Sequence, residues 1–152
     1  MRPGGPARRM CWEVHPPLTV GGGRVIYGGN CALPAVKDAD IYIGLDVSFR
    51  KTSDQHVAFL IPDGGAPADV PAFKALVAWV SGELDLGRKV HVGCIAGHGR
   101  TGIFMAALLV HRGVTDDPIP YIRQRYCRAA VETHTQVDFL VEHYGCKPAS
   151  VE

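Results

Sequence analysis

A cysteine and an arginine separated by five residues are the side chains of this sequence best suited to chemistry. The segment reads Cys94, Ile95, Ala96, Gly97, His98, Gly99, Arg100, Thr101. A thiolate is a strong nucleophile, and a planar guanidinium binds two oxygens of a tetrahedral anion. A glycine-rich loop leaves backbone N–H groups available to the same anion. The segment therefore predicts a nucleophile, an anion-binding loop and a charge clamp, with the Thr101 hydroxyl donating to the sulfur and helping it to leave in a second step.

An apolar strand and a buried helix are expected to hold this segment. Residues 89–93 are typical of a buried strand. Residues 101–110 are typical of a buried helix, and 103–110 are apolar on all sides. The N-terminus of that helix adds partial positive charge next to Cys94, which favours a thiolate. Further strands are predicted at 24–27, 41–47 and 57–61, and further helices at 69–83, from 116 and at 133–144. This alternation predicts a single α/β domain with a mostly parallel sheet flanked by helices.

The run from Ala96 to Gly102 reads Ala-Gly-His-Gly-Arg-Thr-Gly. With Cys94 in front, it resembles the motif of the cysteine-dependent protein tyrosine phosphatase superfamily, most closely the small dual-specificity phosphatases. The resemblance extends from about Arg24 to Tyr144. It implies a phosphatase-like fold and hydrolysis of phosphomonoesters through a phosphocysteine, on phosphotyrosine and, as further substrates, phosphoserine and phosphothreonine. The implied catalytic residues are Cys94, Arg100, Asp63 and Thr101, and the implied substrate-binding residues are Ile95, Ala96, Gly97, His98, Gly99 and Gln136.

Hydrolysis of a phosphate ester needs a proton donor for the leaving oxygen. Asp63 follows an apolar strand in a stretch rich in proline and glycine, and it matches the position of the general acid in the resembling family. A simple turn aspartate is the alternative. Asp69 is a second candidate, although the Val70-Pro71 pair after it indicates a helix cap. Asp46, at the end of a strand, is the third.

Gln136 allows two interpretations. Thr133 followed by Gln136 is a capping-box pattern at the start of a helix. In the resembling family, a glutamine at a similar helix start orients the water that hydrolyses the phosphocysteine. The two roles are expected to require different rotamers.

Gly93 departs from the family pattern, which has histidine directly before the cysteine. His91 lies two residues earlier and points to the same face of the strand. A core or surface histidine is favoured there over a substitute for the missing one. The departure also leaves open a phosphate-binding module without catalysis.

Composition limits the partners. The 152 residues carry a net charge of +1 and 47% hydrophobic residues, which predicts one globular domain and gives no electrostatic case for nucleic acid or a membrane. Residues 1–20 are expected to be a flexible lead, 21–146 the catalytic domain and 147–152 a short tail. The five cysteines, including Cys11, are odd in number and widely spaced, so no disulfide framework is expected. Neither cysteines nor histidines show paired ligand spacing, so no metal is expected, and no cofactor is expected either.

The expected partner is a phosphorylated protein in the cytoplasm, where the thiol stays reduced. The oligomeric state is open. His98 suggests a phosphoinositide as an alternative substrate, through added positive charge, and an RNA 5′-phosphate is a further alternative. A redox or arsenate-reducing protein would need a resolving cysteine near Cys94, and none lies within thirty residues along the chain.

Overall fold

The computed structural model describes residues 14–34, 36–51, 53 and 56–151. Its strands are β1 (Leu18–Thr19), β2 (Val25–Asn30), β3 (Ile41–Gly44), β4 (His56–Ala58) and β5 (Val90–Cys94). Its helices are α1 (Val70–Asp85), α2 (Gly99–His111), α3 (Pro118–Arg125) and α4 (His134–Tyr144). The expected elements are present, with ends that differ by a few residues.

The five strands form one sheet in the order β1-β2-β5-β3-β4. Only β1 is antiparallel to its neighbour, and the other pairings are parallel. The expectation of a single α/β domain with a mostly parallel sheet is therefore confirmed. β5 lies between β2 and β3, where a strand is covered on both sides by pairing, and all five of its residues are buried.

Strand β1 lies inside the segment expected to be a flexible lead. Leu18 is fully buried and pairs with Ile26, and Val20 is also buried. The folded part of the chain thus begins before residue 21. A strand of two residues is too short to show an alternating pattern, so no sequence pattern predicts it. Residues 1–13, with Cys11, lie outside the described residues.

Helix α2 is the centre of the apolar core. It packs on β5, and α1, α3 and α4 all contact it. Phe73 of α1 makes edge-to-face contacts with Phe104 of α2 and Phe139 of α4, at ring distances of 5.9 and 5.6 Å. Such contacts add to the hydrophobic effect of burial. The core therefore holds rigidly the helix that begins at the glycine-rich loop.

The carboxyl ends of β2, β3 and β5 meet at one edge of the sheet. The N–H of Cys31, just past β2, donates to the carbonyl of Cys94 at 2.8 Å, and the N–H of Leu45, just past β3, donates to Gly93 at 2.8 Å. Ile61 continues this edge, because its N–H donates to Leu45 at 3.0 Å. Ligands of parallel α/β sheets bind at this edge.

Candidate active site

The loop between β5 and α2 keeps its backbone donors available. Within the described part of the chain, the N–H groups of residues 95–98 donate to no protein acceptor. Helix α2 begins at Gly99, directly after them. Successive open N–H groups at a helix N-terminus form an anion-binding site. We call residues 94–100 the anion loop.

Cys94 lies at the start of the anion loop and is 3% exposed. The hydroxyl of Thr101, which is fully buried, donates to the Cys94 sulfur at 3.1 Å. A hydrogen bond to the sulfur stabilises a thiolate more than a thiol, because the thiolate carries the full charge. The contact expected between these two residues is present.

Arg100 is anchored from one side. Its Nη1 donates to Asp46 Oδ1 at 2.7 Å and to the carbonyl of Ile61 at 3.1 Å. Its Nη2 lies 3.5 Å from Asp63 Oδ1. The Arg100 side chain is 5% exposed, and its orientation is fixed by contacts from the end of β3 and from the loop after β4. A buried cation in a fixed position suits the binding of a tetrahedral anion.

Asp46 is not suited to be the proton donor. Burial by itself would raise the pKa of this carboxyl, but hydrogen bonds from Ser48 and the pairing with Arg100 outweigh it, and its pKa is lowered. Asp46 Oδ2 accepts from the Ser48 N–H at 2.8 Å. A carboxylate held in its charged form carries no proton to donate near neutral pH. Its place in the structure is that of a positioning partner for Arg100.

Asp63 lies in an exposed turn. The Gly65 N–H donates to the Pro62 carbonyl at 2.8 Å, which closes a β-turn around Asp63 and Gly64. The Asp63 side chain is 89% exposed. The Asp63 carboxylate thus lies near the buried Arg100 side chain while it remains in contact with solvent. Asp69, the alternative, caps α1 by accepting from the Ala72 N–H at 3.0 Å, as its sequence context indicated.

Two residues at the start of α4 hold this turn, which we call the acid loop (residues 62–65). Thr133 Oγ1 donates to the Gly64 carbonyl at 2.8 Å, and Gln136 Nε2 donates to the Gly65 carbonyl at 3.3 Å. Gln136 Oε1 at the same time accepts from the N–H groups of Glu132 and Thr133. The capping box is confirmed. In one and the same rotamer, the oxygen makes the cap while the nitrogen faces the acid loop. The role of Gln136 in orienting a water stays a prediction.

The glycine before the nucleophile is explained by a close approach of strands. A Cβ on Gly93 would lie 2.6 Å from the Gly29 carbonyl oxygen and 2.8 Å from the Cys31 nitrogen. The backbone of β2 thus fills the space beside Gly93. His91 is buried in the sheet, and burial lowers its pKa to about 4. Its Nε2 has no hydrogen-bond partner in the described part of the chain. His91 is therefore a core histidine, one of the two placements that the sequence favoured over a substitute for the missing histidine.

The His98 side chain lies in the protein interior, 2% exposed. Its ring contacts His15 edge-to-face at 5.4 Å, and its Nδ1 lies 3.6 Å from Glu132 Oε2. His98, His15 and Cys127 also form the group of residues that could hold a metal ion. With these neighbours the ring is not placed to add charge for a polyanionic substrate, and only the His98 backbone belongs to the anion-binding face.

Sequence reasoning missed the residues that support the anion loop from behind. Tyr126 donates its hydroxyl to the Gly97 carbonyl at 2.8 Å. The Val131 N–H donates to the His98 carbonyl at 3.2 Å, and Val131 has a positive φ of 61°, which is costly for a β-branched residue. Arg123 holds this bend by donating to the carbonyls of Ala130 and Val131. No local motif marks these contacts, because each joins residues from different elements.

Proteins with similar sequences are uncharacterized. No family model matches the chain. Two uncharacterized proteins of Methanocaldococcus jannaschii are similar, one 41% identical over 83 residues and the other 38% identical over 87 residues. The matches span 55% and 57% of this chain, and 55% and 54% of the relatives. The chain thus matches about half the length of these relatives.

The fold is similar to those of several solved structures. The active form of Tk-PTP has a TM-score of 0.68 at 23% identity, covering 89% of this chain and 99% of that one. Kinase associated phosphatase has a TM-score of 0.61 at 19% identity, covering 76% and 84%. The human tyrosine phosphatase-like serine/threonine/tyrosine-interacting protein has a TM-score of 0.57 at 20% identity, covering 70% and 78%. The chain therefore has the protein tyrosine phosphatase fold, as the resemblance implied.

Proposed function

We propose that this protein is a phosphomonoester hydrolase that acts through a phosphocysteine intermediate. Its proposed substrates are phosphotyrosine and, as further substrates, phosphoserine and phosphothreonine in proteins. The observation that carries this proposal is the Thr101 hydroxyl on the Cys94 sulfur at 3.1 Å, within a loop that also presents Arg100 and open N–H groups. A purely structural cysteine would not need this arrangement.

The first step transfers the phosphoryl group to sulfur. The Cys94 thiolate attacks phosphorus in line, and the bond from phosphorus to the ester oxygen breaks. The N–H groups of the anion loop and Arg100 hold the three other oxygens, where charge is concentrated in the transition state. Asp63 gives its proton to the departing oxygen. Its exposed side chain, 3.5 Å from Arg100, supports this role.

The second step returns the enzyme to its starting state. Water attacks the phosphocysteine, and Asp63, now a carboxylate, takes the proton of that water. The bond from phosphorus to sulfur breaks, and Thr101 Oγ1 stabilises the departing thiolate. Gln136 Nε2, which faces the acid loop, is a proposed contact for that water. The positive charge comes from Arg100 and the loop, so the proposed reaction uses no metal.

Binding of phosphate without turnover is the rival that Gly93 suggested. The structure gives Gly93 a packing reason that is independent of catalysis, because the backbone of β2 occupies the space beside it. The missing histidine therefore does not favour a binding module. A reactive thiol of this kind fits a reducing compartment, and we propose a cytoplasmic location on that ground. No helix in the described residues is long and apolar enough to cross a membrane.

Hydrolysis of para-nitrophenyl phosphate with a chelator present tests the proposal. We expect turnover by the wild type, and a loss of at least about a thousandfold in Cys94→Ser, because a hydroxyl in this place is a much weaker nucleophile. Cys146→Ser is the matched control, since Cys146 is also a buried cysteine but lies beyond α4. It should keep wild-type turnover. Binding of vanadate or phosphotyrosine by an inactive wild type would establish the binding module instead.

A further inference from the structure

Behind the anion loop, three side chains with metal-binding atoms meet in the core. They are His15, from the segment before β1, His98, from the anion loop, and Cys127, from the segment after α3. One ligand atom from each lies within 4.8 Å of the others, and all three residues are buried. Because they come from three distant parts of the chain, their spacing in the sequence shows no metal-binding motif.

The two histidines present ring nitrogens without partners. Nε2 of His15 and Nε2 of His98 are buried and have no hydrogen-bond partner among the residues that the structure describes. The residues are 9% and 2% exposed. A buried polar atom without a partner costs free energy, and most such atoms in folded proteins are satisfied. A metal ion bound between these two nitrogens and the Cys127 thiol would satisfy both nitrogens.

The surroundings of His98 fit a ligand of this kind. Its Nδ1 lies 3.6 Å from Glu132 Oε2, so the ring faces a carboxylate with one nitrogen and leaves Nε2 for the cluster. Histidines that bind metals commonly direct their other ring nitrogen at a carboxylate. The His15 ring is held by stacking on Tyr126 at 4.6 Å, which fixes its position as well.

We propose that His15, His98 and Cys127 bind one Zn²⁺ ion through two imidazole nitrogens and one thiolate, with a fourth position open to water. Zinc takes mixed nitrogen and sulfur ligands with bonds of about 2.0 to 2.3 Å, so its ligand atoms lie roughly 3.5 Å apart. The present ligand atoms lie within 4.8 Å of one another, so binding would draw them closer together by rotation of the side chains. Binding displaces the Cys127 proton to solvent.

The ion acts as a structural clamp on the anion loop. It ties the N-terminal segment and the segment after α3 to His98, whose carbonyl accepts from the Gly102 and Val131 N–H groups. Tyr126, next to Cys127, already holds the Gly97 carbonyl. The clamp is separate from the proposed chemistry, since the Cys94 sulfur takes its hydrogen bond from Thr101. The inference therefore stands whether or not the protein hydrolyses phosphate.

Cobalt substitution tests the site directly. The chelator-treated full chain is titrated with Co²⁺ under reducing conditions, and absorption from thiolate-to-cobalt charge transfer is recorded. We expect one ion per chain, and displacement of the cobalt by Zn²⁺. Absence of binding to the wild type would overturn the proposal.

Three cysteine variants identify the sulfur. The charge-transfer band should persist in Cys94→Ser and in Cys146→Ser, and it should disappear in Cys127→Ser. A band lost in Cys94→Ser but kept in Cys127→Ser would place the ion on the nucleophile and overturn the proposal. X-ray absorption of the zinc-loaded wild type gives the same answer without a variant, because one sulfur and two imidazoles are expected around the ion.

Thermal unfolding separates a clamp from loose binding. Added Zn²⁺ should raise the Tm of the wild type by several degrees, because a ligand that binds only the folded state stabilises it. The Tm of Cys127→Ser and of a His15→Gln variant should not respond. An equal zinc response in all three proteins would refute the clamp.

Discussion

Asp46 and Asp63 both place a carboxylate oxygen near Arg100, at 2.7 Å from Nη1 and 3.5 Å from Nη2. The Asp46 side chain is 11% exposed and bonded to Ser48, whereas the Asp63 side chain is 89% exposed in a turn. Two aspartates near the same arginine thus differ in burial and in the number of their hydrogen bonds. A buried carboxylate that also accepts from Ser48 fixes the arginine, whereas the exposed carboxylate lies farther from it, in a turn at the surface.

Turnover on a poor leaving group should separate the two aspartates most strongly. Asp63→Asn removes the proposed acid, and we expect hydrolysis of a phosphotyrosine peptide to fall by about 10² to 10⁴. The fall on para-nitrophenyl phosphate should be smaller, because nitrophenolate leaves without much protonic help. Steady-state kinetics of both substrates measures the difference. Equal losses on the two substrates would remove Asp63 from the role of acid.

Loss of Asp46 should lower the free energy of unfolding more than loss of Asp63 does. Asp46→Ala leaves the buried guanidinium of Arg100 without its carboxylate, and we expect the free energy of unfolding to fall by about 3 kcal/mol. Asp63→Ala changes an exposed side chain, so its effect should stay within about 0.5 kcal/mol. Urea unfolding at neutral pH measures both. Similar losses in the two variants would show that burial does not distinguish these carboxylates.

Acid should remove part of the Asp46 contribution. The pKa of Asp46 is lower in the folded protein than in the unfolded chain. Its contribution is therefore fully present above the ordinary carboxyl pKa of about 3.9 and is lost as the pH falls through the lowered value. The difference in unfolding free energy between wild type and Asp46→Asn should be larger at pH 7 than at pH 3. A difference that grows on acidification would contradict the lowered pKa.

Removal of the Thr133 hydrogen bond to the acid loop should have the smallest effect on activity. Thr133→Val removes the hydroxyl that caps α4 and donates to the Gly64 carbonyl. We expect a loss of about 1 kcal/mol in unfolding free energy and a several-fold fall in kcat on phosphotyrosine, with little change on para-nitrophenyl phosphate. Thr133→Ser keeps the hydroxyl and should restore both. A Thr133→Ser variant as impaired as Thr133→Val would mean that the methyl group, not the hydrogen bond, matters.

Local patterns in the sequence determined the main elements of this protein. The strand before Cys94, the helix after it, the turn at Asp63 and the caps at Asp69 and Thr133 each depend on residues within a few positions of one another. Backbone periodicity and capping act over that range. The α/β fold and the contact between Thr101 and Cys94 could be predicted for this reason. The nearness of Asp63 to Arg100 joins distant parts of the chain, and only the resemblance to a known family implied it.

Tertiary structure alone decided what depends on burial and on contacts between distant segments. The sequence could rank Asp46 only as a third acid, because its pairing with Arg100 requires β3 and the anion loop to meet. The same holds for Gly93 against β2, for β1, and for the meeting of His15, His98 and Cys127. A charge or a lone pair takes its properties from every group packed around it, and the folded chain brings those groups from far apart in the sequence.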